Sequence, residues 1–277
     1  MLELSCTVRG CGAPLALREC VLACPRGHAF DRAKSGYWNL LQPQDRRSLD
    51  AGDSKDAVEA RRRLFESGLF APWIEELART LERAGVERGA RTLDVGCGEG
   101  SILGALAPRF AFDACGLDLS TRAAELAARA HPSITWVVAN GDRRLPIVDG
   151  ALDLVFTITA RRSPAEFARV LRPGGLALVA LPGADDLAEL RAAVLGEAVD
   201  LAAERDAAAE FAGAFDVVDQ QRFAYSVSVE PGRLTDLLAA TYRGARKGRE
   251  ERAEELAARG ELALTLSWRV IVLARRA

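Results

Sequence analysis

Residues 93–100 read Leu93-Asp94-Val95-Gly96-Cys97-Gly98-Glu99-Gly100, and this octapeptide determines how the rest of the chain is read. Thr92 to Val95 is a short apolar run of the kind that forms a buried strand. Gly96, Gly98 and Gly100 then remove side chains from a stretch where the backbone must turn sharply. A helical pattern follows over 101–107. Strand, glycine loop and helix in that order bring backbone N–H groups up to a ligand at a helix N-terminus. The spacing G-x-G-x-G differs from the dinucleotide fingerprint G-x-G-x-x-G. Asp94 and Glu99 also put negative charge where a pyrophosphate would be repelled. The loop suits a cationic sulfonium with an amino-acid tail.

The octapeptide resembles motif I of the S-adenosylmethionine (SAM) dependent methyltransferases, and the flanking pattern agrees. From Arg91 onward strands are predicted near 91–95, 113–118, 134–138, 152–158, 175–181, 216–225 and 265–274. Helices are predicted near 101–107, 121–130, 164–171, 185–194 and 231–241. This alternation predicts an α/β fold, the Rossmann-like class I methyltransferase with a seven-stranded sheet whose last strands form an antiparallel edge. The ligand is expected beyond the C-terminal ends of the parallel strands. Ala114-Cys115-Gly116-Leu117-Asp118-Leu119-Ser120 is a strand ending in an acid about twenty residues after the loop. A carboxylate there can accept both ribose hydroxyls, and Leu119 follows it. In similar enzymes the strand-end loop Val138-Ala139-Asn140-Gly141-Asp142 meets the adenine edge, so Asn140 or Asp142 is the candidate. Leu171-Arg172-Pro173-Gly174-Gly175 resembles the structural turn before the fifth strand.

With 277 residues, 49% hydrophobic and 27% charged, the chain can form one sizeable domain plus a small one. No apolar run approaches the roughly 18 residues that span a bilayer. The start, Met1-Leu2-Glu3-Leu4-Ser5-Cys6, shows no basic region followed by an apolar one, so the expected location is the cytoplasm, with no membrane partner. A net charge of −2 argues against nonspecific nucleic-acid binding. Local basic runs at Arg46-Arg47, Arg61-Arg62-Arg63, Arg143-Arg144, Arg161-Arg162 and 243–252 read individually as solvated faces.

Residues 1–35 hold four of the six cysteines and no long periodic stretch, the signature of a small loop-rich module that needs a staple. Cys6-x4-Cys11 is followed after twelve residues by Cys24-x3-His28. In a reducing compartment two close pairs of soft ligands predict a tetrahedral Cys3His zinc site. Pro25, Arg26 and Gly27 make a knuckle between Cys24 and His28, and Cys20 is a fifth candidate ligand. Three regions follow: a zinc-binding module over 1–42, a linker with helices over 43–90, and a SAM-dependent methyltransferase domain over 91–277. Within the middle region Ser54 can cap a helix running to about Glu66. A second helix follows Pro72, with Trp73, Leu77 and Leu81 on one face.

Taken together, these residues resemble the bacterial 23S rRNA (guanine-N1)-methyltransferases, a family with housekeeping and tylosin (macrolide) resistance members. Cys6, Cys11, Cys24 and His28 fall on the family's zinc ligands. Phe30-Asp31-x-Ala33-Lys34-x-Gly36-Tyr37-x-Asn39-Leu40-Leu41 follows its pattern, as do Gly52-Asp53-Ser54, Ala60-Arg61-Arg62 and Gly68-Leu69-Phe70-Ala71-Pro72. The resemblance implies cofactor contacts at Phe70 and at Gly98-Glu99. It also implies 23S rRNA as partner, a homodimer, and phosphate contacts from the zinc module, Lys34, Arg46 and Arg47.

Three departures surround the expected target pocket. Thr159 and Arg161 stand where the family carries an aromatic and a proline. Asp186 replaces a cofactor-contacting histidine, and a late Thr-Pro-aromatic segment is reduced to Thr241-Tyr242-Arg243. They leave the identity of the methylated base open, with Asp142 and Asp186 as the nearest acids for proton removal. The principal reading is N1-methylation of a guanine in a 23S rRNA hairpin, with RNA read by shape and a flipped base. The alternatives are a relative retargeted to a small molecule in a biosynthetic cluster, and a SAM-binding or zinc-mediated interaction protein without turnover.

Overall fold

The computed structural model describes residues 2–45, 53–195, 206–241, 258 and 260–277. Arg46, Arg47, Gly52, Tyr242 and the basic run 243–252 lie outside them. The head contains three short strands, β1 (Ala16–Arg18), β2 (Val21–Ala23) and β3 (Ala29–Asp31), paired antiparallel in the order β1-β2-β3. A two-residue strand, β4 (Trp38–Asn39), comes next. Helix α1 (Lys55–Glu66) opens with Ser54 accepting a hydrogen bond from the Ala57 N–H, the cap expected there. Helix α2 (Ala71–Arg83) carries Pro72 in its first turn, where the missing N–H has no intrahelical partner to lose. It buries Trp73, Leu77 and Leu81, spaced four apart.

Alternation then takes over: β5 (Arg91–Val95), α3 (Ser101–Phe110), β6 (Asp113–Asp118), α4 (Thr121–Ala130), β7 (Thr135–Val138), β8 (Leu152–Ile158), α5 (Pro164–Val170), β9 (Leu171–Pro182) and α6 (Ala188–Leu195). A short α7 (Ala207–Phe211), the long β10 (Phe215–Val229), α8 (Pro231–Thr241) and β11 (Leu262–Arg275) complete the described elements. The sheet order is β10-β11-β9-β8-β5-β6-β7-β4. Strands β4 to β9 within it run parallel, while β11 and β10 are antiparallel, as the sequence predicts for the final pair. The sheet contains the seven expected strands and an eighth, β4, which the head lends to its edge beside β7. The turn read at 171–175 is absorbed into β9, which pairs from Leu171 onward.

Strand pleating sorts the core into two layers. On one face Leu154, Phe156, Leu178, Val270 and Val272 pack with Trp73 and Leu77 of α2 and with Leu103, Leu106 and Phe110 of α3. On the other face Leu93, Val95, Leu117, Val137, Val179 and Ile271 pack with Phe167 of α5 and Phe211 of α7. Leu2, Leu4, Leu22, Trp38 and Leu40 of the head join this second layer. The head is therefore built into the sheet's own core rather than hung from it by the linker. Truncating one of these fully buried leucines costs about 2–5 kcal/mol.

The two chain directions away from β5, to β6 on one side and β8 on the other, make its C-terminal end the point where strand order reverses. Three left-handed glycines follow it, Gly96, Gly98 and Gly100, with φ of 80°, 57° and 82°. Two of them also have no room for a side chain. A Cβ on Gly96 would stand 2.3 Å from the Ala160 methyl, and one on Gly100 would stand 2.5 Å from the Trp136 ring. Trp136 also lies over Gly116, and its ring N–H donates to the His131 carbonyl at 3.0 Å, so one indole supports the loop from below.

Candidate functional site

The loop gathers carboxylates in a buried setting. Asp94 ends inside the sheet, 3% exposed, and Glu99 is 4% exposed at the loop's far side. Asp118, at the end of β6, accepts hydrogen bonds from the Gly98 N–H at 2.9 Å and the Ser120 N–H at 2.8 Å. These bonds tie the second acidic strand end to the glycine loop. Burial pushes the Asp94 carboxyl well above its ordinary range, and the neighbouring Asp118 and Glu99 add to the rise. Burial likewise raises Glu99, against the pull of Arg61, and Asp118, against the N–H groups of Ser120 and Gly98. One oxygen of Glu99, Oε2, is buried with no hydrogen-bond partner among the described residues. An acidic cradle with an orphaned carboxylate oxygen and glycines that admit close backbone approach fits a cationic ligand.

Two of the other predicted residues are partly buried elsewhere around the site. Leu119 is half-buried directly after Asp118. Phe70 forms the N-terminal boundary of α2, its ring 4.7 Å from Phe65 and 6.3 Å edge-on to Trp268. Asn140 and Asp142 belong to the loop after β7. The Asn140 amide donates to the Asp45 carbonyl at 3.2 Å and accepts from the Asp142 N–H at 3.1 Å. Asp142 pairs with Arg161 at 2.9 Å. Asp186 follows β9, two strands from β5 in the sheet order, and accepts from the Ser267 N–H at 2.9 Å. Burial pushes its carboxyl up to about 6, against the Ser267 N–H and Arg191. Asp94, Gly96, Gly98, Glu99 and Asp118 thus converge on one loop, while Asn140 and Asp142 share the loop after β7 and Asp186 stands on the loop after β9.

The departures noted in the sequence are structural features of this edge. Thr159 follows β8 directly in a left-handed conformation, φ 56°, rare for a β-branched residue. That turn swings Ala160 against Gly96, and Arg161 then reaches Asp142. Arg61 belongs to a segment that follows the family's pattern, but the sequence assigns it no role within its run of three arginines. The structure brings it from α1 to within 3.9 Å of Glu99 Oε2 and 2.7 Å of Asp53 Oδ2.

At the head, Cys6 Sγ and Cys24 Sγ each lie 3.4 Å from His28 Nδ1, and Cys11 Sγ lies 3.8 Å from Cys24 Sγ. All four ligand atoms fall within 4.8 Å of one another. A tetrahedral site with metal–ligand bonds of about 2.0–2.3 Å has edges of roughly 3.3–3.8 Å, so the spacing fits zinc. Gly27, φ 84°, closes the knuckle by donating its N–H to the Cys24 carbonyl at 3.0 Å. Burial raises the Cys6 thiol to about 12. For Cys24 burial pushes upward, but the backbone N–H groups of His28 and Arg26 lower the thiol to about 6. Cys20 is exposed in the turn between β1 and β2 and takes no part in the cluster. A cavity of about 460 Å³ lies between this cluster and the loop after β7, lined by Cys6, Cys11, Leu40, Asp45, Asn140 and Arg143 among others. Among the described residues no helix is long and apolar enough to cross a membrane.

Comparison with known proteins adds the following. Residues 92–175 match the family model described as a methyltransferase domain, and residues 5–49 match the zinc-ribbon model described as RlmA, N-terminal. The 23S rRNA (guanine(748)-N(1))-methyltransferase of Streptomyces fradiae is 38% identical over 237 residues, covering 83% of this chain and 81% of the relative. A Micromonospora griseorubida protein, provisionally assigned to 23S rRNA guanine-N1 methylation, is 36% identical over 208 residues, 68% of each chain. Among solved structures, the provisionally assigned methyltransferase in complex with the Haloferax volcanii Trm112 activator superposes with a TM-score of 0.52 at 23% identity, covering 81% of this chain and 99% of that one. That last likeness shows the fold.

Proposed function

The chain belongs to the family of 23S rRNA (guanine-N1)-methyltransferases, and on that premise we propose that it transfers a methyl group from SAM to N1 of a guanine in a 23S rRNA hairpin. The observation that carries this reading is the union, in one chain aligned over 83% of its length, of the zinc head and the acidic glycine loop. Bound SAM supplies an electrophilic methyl group on a cationic sulfur. Asp118, aimed by Gly98 and Ser120, accepts the ribose hydroxyls. Gly96 and Gly98 let backbone approach the methionine portion, and Asp94 and Glu99 meet its positive charge. Phe70 and Leu119 give apolar contact, Asn140 or Asp142 meets the adenine edge, and Asp186 faces the cofactor from beyond β9.

Guanine N1 holds its proton at neutral pH, so methylation requires deprotonation together with an in-line approach to the sulfonium carbon. Positioning supplies most of the acceleration. Of the two acids near the target, Asp186 is the better proton acceptor. Its carboxyl stands at about 6, close to working pH, whereas Asp142 is held in an ion pair with Arg161.

Cys6, Cys11, Cys24 and His28 hold zinc, which gives the small head its fold. We read 1–42 as the zinc-binding RNA-recognition module, 43–90 as linker and helices, and 91–277 as the SAM-dependent methyltransferase domain. The enzyme works in the cytoplasm, where ribosomal RNA is found, and the family expectation of a homodimer is testable by light scattering. Primer-extension mapping of rRNA from cells with and without the gene tests reaction, substrate and position together. A gene-dependent stop at one guanine is expected. Identical maps would sink the reading, and repeating the assay with macrolide challenge separates a housekeeping role from resistance.

A further inference from the structure

The three arginines at 61–63 have three different fates. Arg62 pairs with Glu66 one turn along α1, and Arg63 pairs with Asp236 of α8, both on the surface. Arg61 points inward over the glycine loop. Its Nη2 donates to Asp53 Oδ2 at 2.7 Å, and its Nη1 lies 3.2 Å from the place where a Cβ on Gly98 would stand. The same Nη1 is 3.9 Å from Glu99 Oε2. That is too far for a hydrogen bond, and the oxygen remains buried without a partner.

A cofactor of the class this loop accepts carries two cationic groups, a sulfonium and an ammonium, and one carboxylate. Asp94, Glu99 and Asp118 welcome the cations and repel the carboxylate. The cation whose field reaches both Glu99 and Asp118 is Arg61. After Asp53 occupies one edge of the guanidinium, the planar fork still presents donors toward the loop. A buried carboxylate oxygen and a guanidinium nitrogen 3.9 Å apart offer one α-amino acid two complementary receptors, one for each end of its zwitterion.

We propose that Arg61, tethered by Asp53, is the receptor for the carboxylate of the cofactor's methionine tail, with Glu99 Oε2 taking the adjacent ammonium. The proposal rests on the SAM reading and deepens it. Asp53 fixes the guanidinium, so helix α1 becomes a wall of the cofactor site, and the two residues keep the acidic loop selective for a zwitterionic tail.

Calorimetric titration of the full chain with SAM and with decarboxylated SAM tests this without recourse to turnover. Arg61→Met is expected to weaken SAM binding roughly ten- to a hundredfold, the range of charge-assisted hydrogen bonds. Decarboxylated SAM has lost its anionic group, so its affinity should hold or rise when a neighbouring positive charge is removed. Arg61→Lys, which keeps the charge but not the fork, should retain part of the preference for SAM over the decarboxylated ligand. This variant carries the test if thermal melting shows R61M to be unfolded. Equal losses on both ligands would overturn the proposal and leave Arg61 as a loop-ordering residue, and unchanged SAM affinity would also overturn it. Wild-type chain that binds neither ligand would instead remove the SAM reading on which the proposal stands.

Discussion

The head and the glycine loop both concentrate groups that resist burial together, and they are held in different ways. In the head, three thiols and an imidazole sit within 4.8 Å of one another on the loops and turns that flank strands of two or three residues. Elements this short give little cooperative backbone pairing, so beyond the apolar contacts that the head makes with the main sheet a metal ion supplies its cohesion. At the loop, three carboxylates crowd together around a scaffold of backbone and ring contacts. The parallel sheet, the Trp136 platform and backbone N–H bonds to Asp118 already fix the geometry. One site is therefore assembled by its ligand, and the other is preformed with its charge held in waiting.

The largest effect expected from breaking this contrast is at the head. Cys24→Ser should abolish stoichiometric zinc, read by elemental analysis, and lower rRNA methylation by at least about a hundredfold. SAM affinity, read by calorimetry on the same sample, should change far less. A parallel collapse of SAM binding would show that the loop is not preformed. The next effect is on the platform. Gly100→Ala would place a Cβ 2.5 Å from Trp136 and 2.8 Å from Ala127 in a left-handed backbone. It should cost about 2–4 kcal/mol in urea unfolding, and near-wild-type stability would mean the loop is softer than described.

Third, Asp118→Ala should weaken SAM binding about ten- to a hundredfold while leaving zinc content unchanged. The smallest effect is on Asp186, whose carboxyl is raised from 3.8 to about 6 in the fold. The folded chain holds that proton more tightly than the unfolded one, so stability falls as pH rises from about 4 to about 6, and the cost stays constant above. Asp186→Asn should then stabilise the protein by about 1–2 kcal/mol near pH 8, with the gain vanishing below about pH 4. A pH-independent difference in melting temperature would contradict this assignment.

What could be read in the chain beforehand follows the same division. The loop, its flanking strands and Asp118 were legible because short continuous apolar runs, glycines and a strand-end acid are local signals. The zinc ligands were legible because close spacing of soft ligands is also local, and the knuckle of Pro25, Arg26 and Gly27 favoured His28 over the exposed Cys20. Strand β4 was not, since two residues carry no periodicity, and only the register Trp38 to Val137 reveals them as sheet. Arg61 shares with Arg62 a segment that follows the family's pattern, but its place was not legible, because it depends on which face of α1 lies over the loop. Thr159 and Arg161 stood out as departures, but their consequence, Ala160 pressed against Gly96, is a tertiary contact. Asn140 was found as a candidate, while its bond to Asp45 across 95 residues of chain was beyond any local pattern.

Strand β4 has one more consequence. Because Trp38 and Asn39 extend the sheet beside β7, and Leu2, Leu4 and Leu40 share its core, the distance from the sulfur cluster to the cofactor loop is a fixed length, as on a ruler. An enzyme with a hinged head adjusts its span to the substrate. Here the head and the loop share one sheet and one core, so under the proposed function the RNA is what must fit their separation.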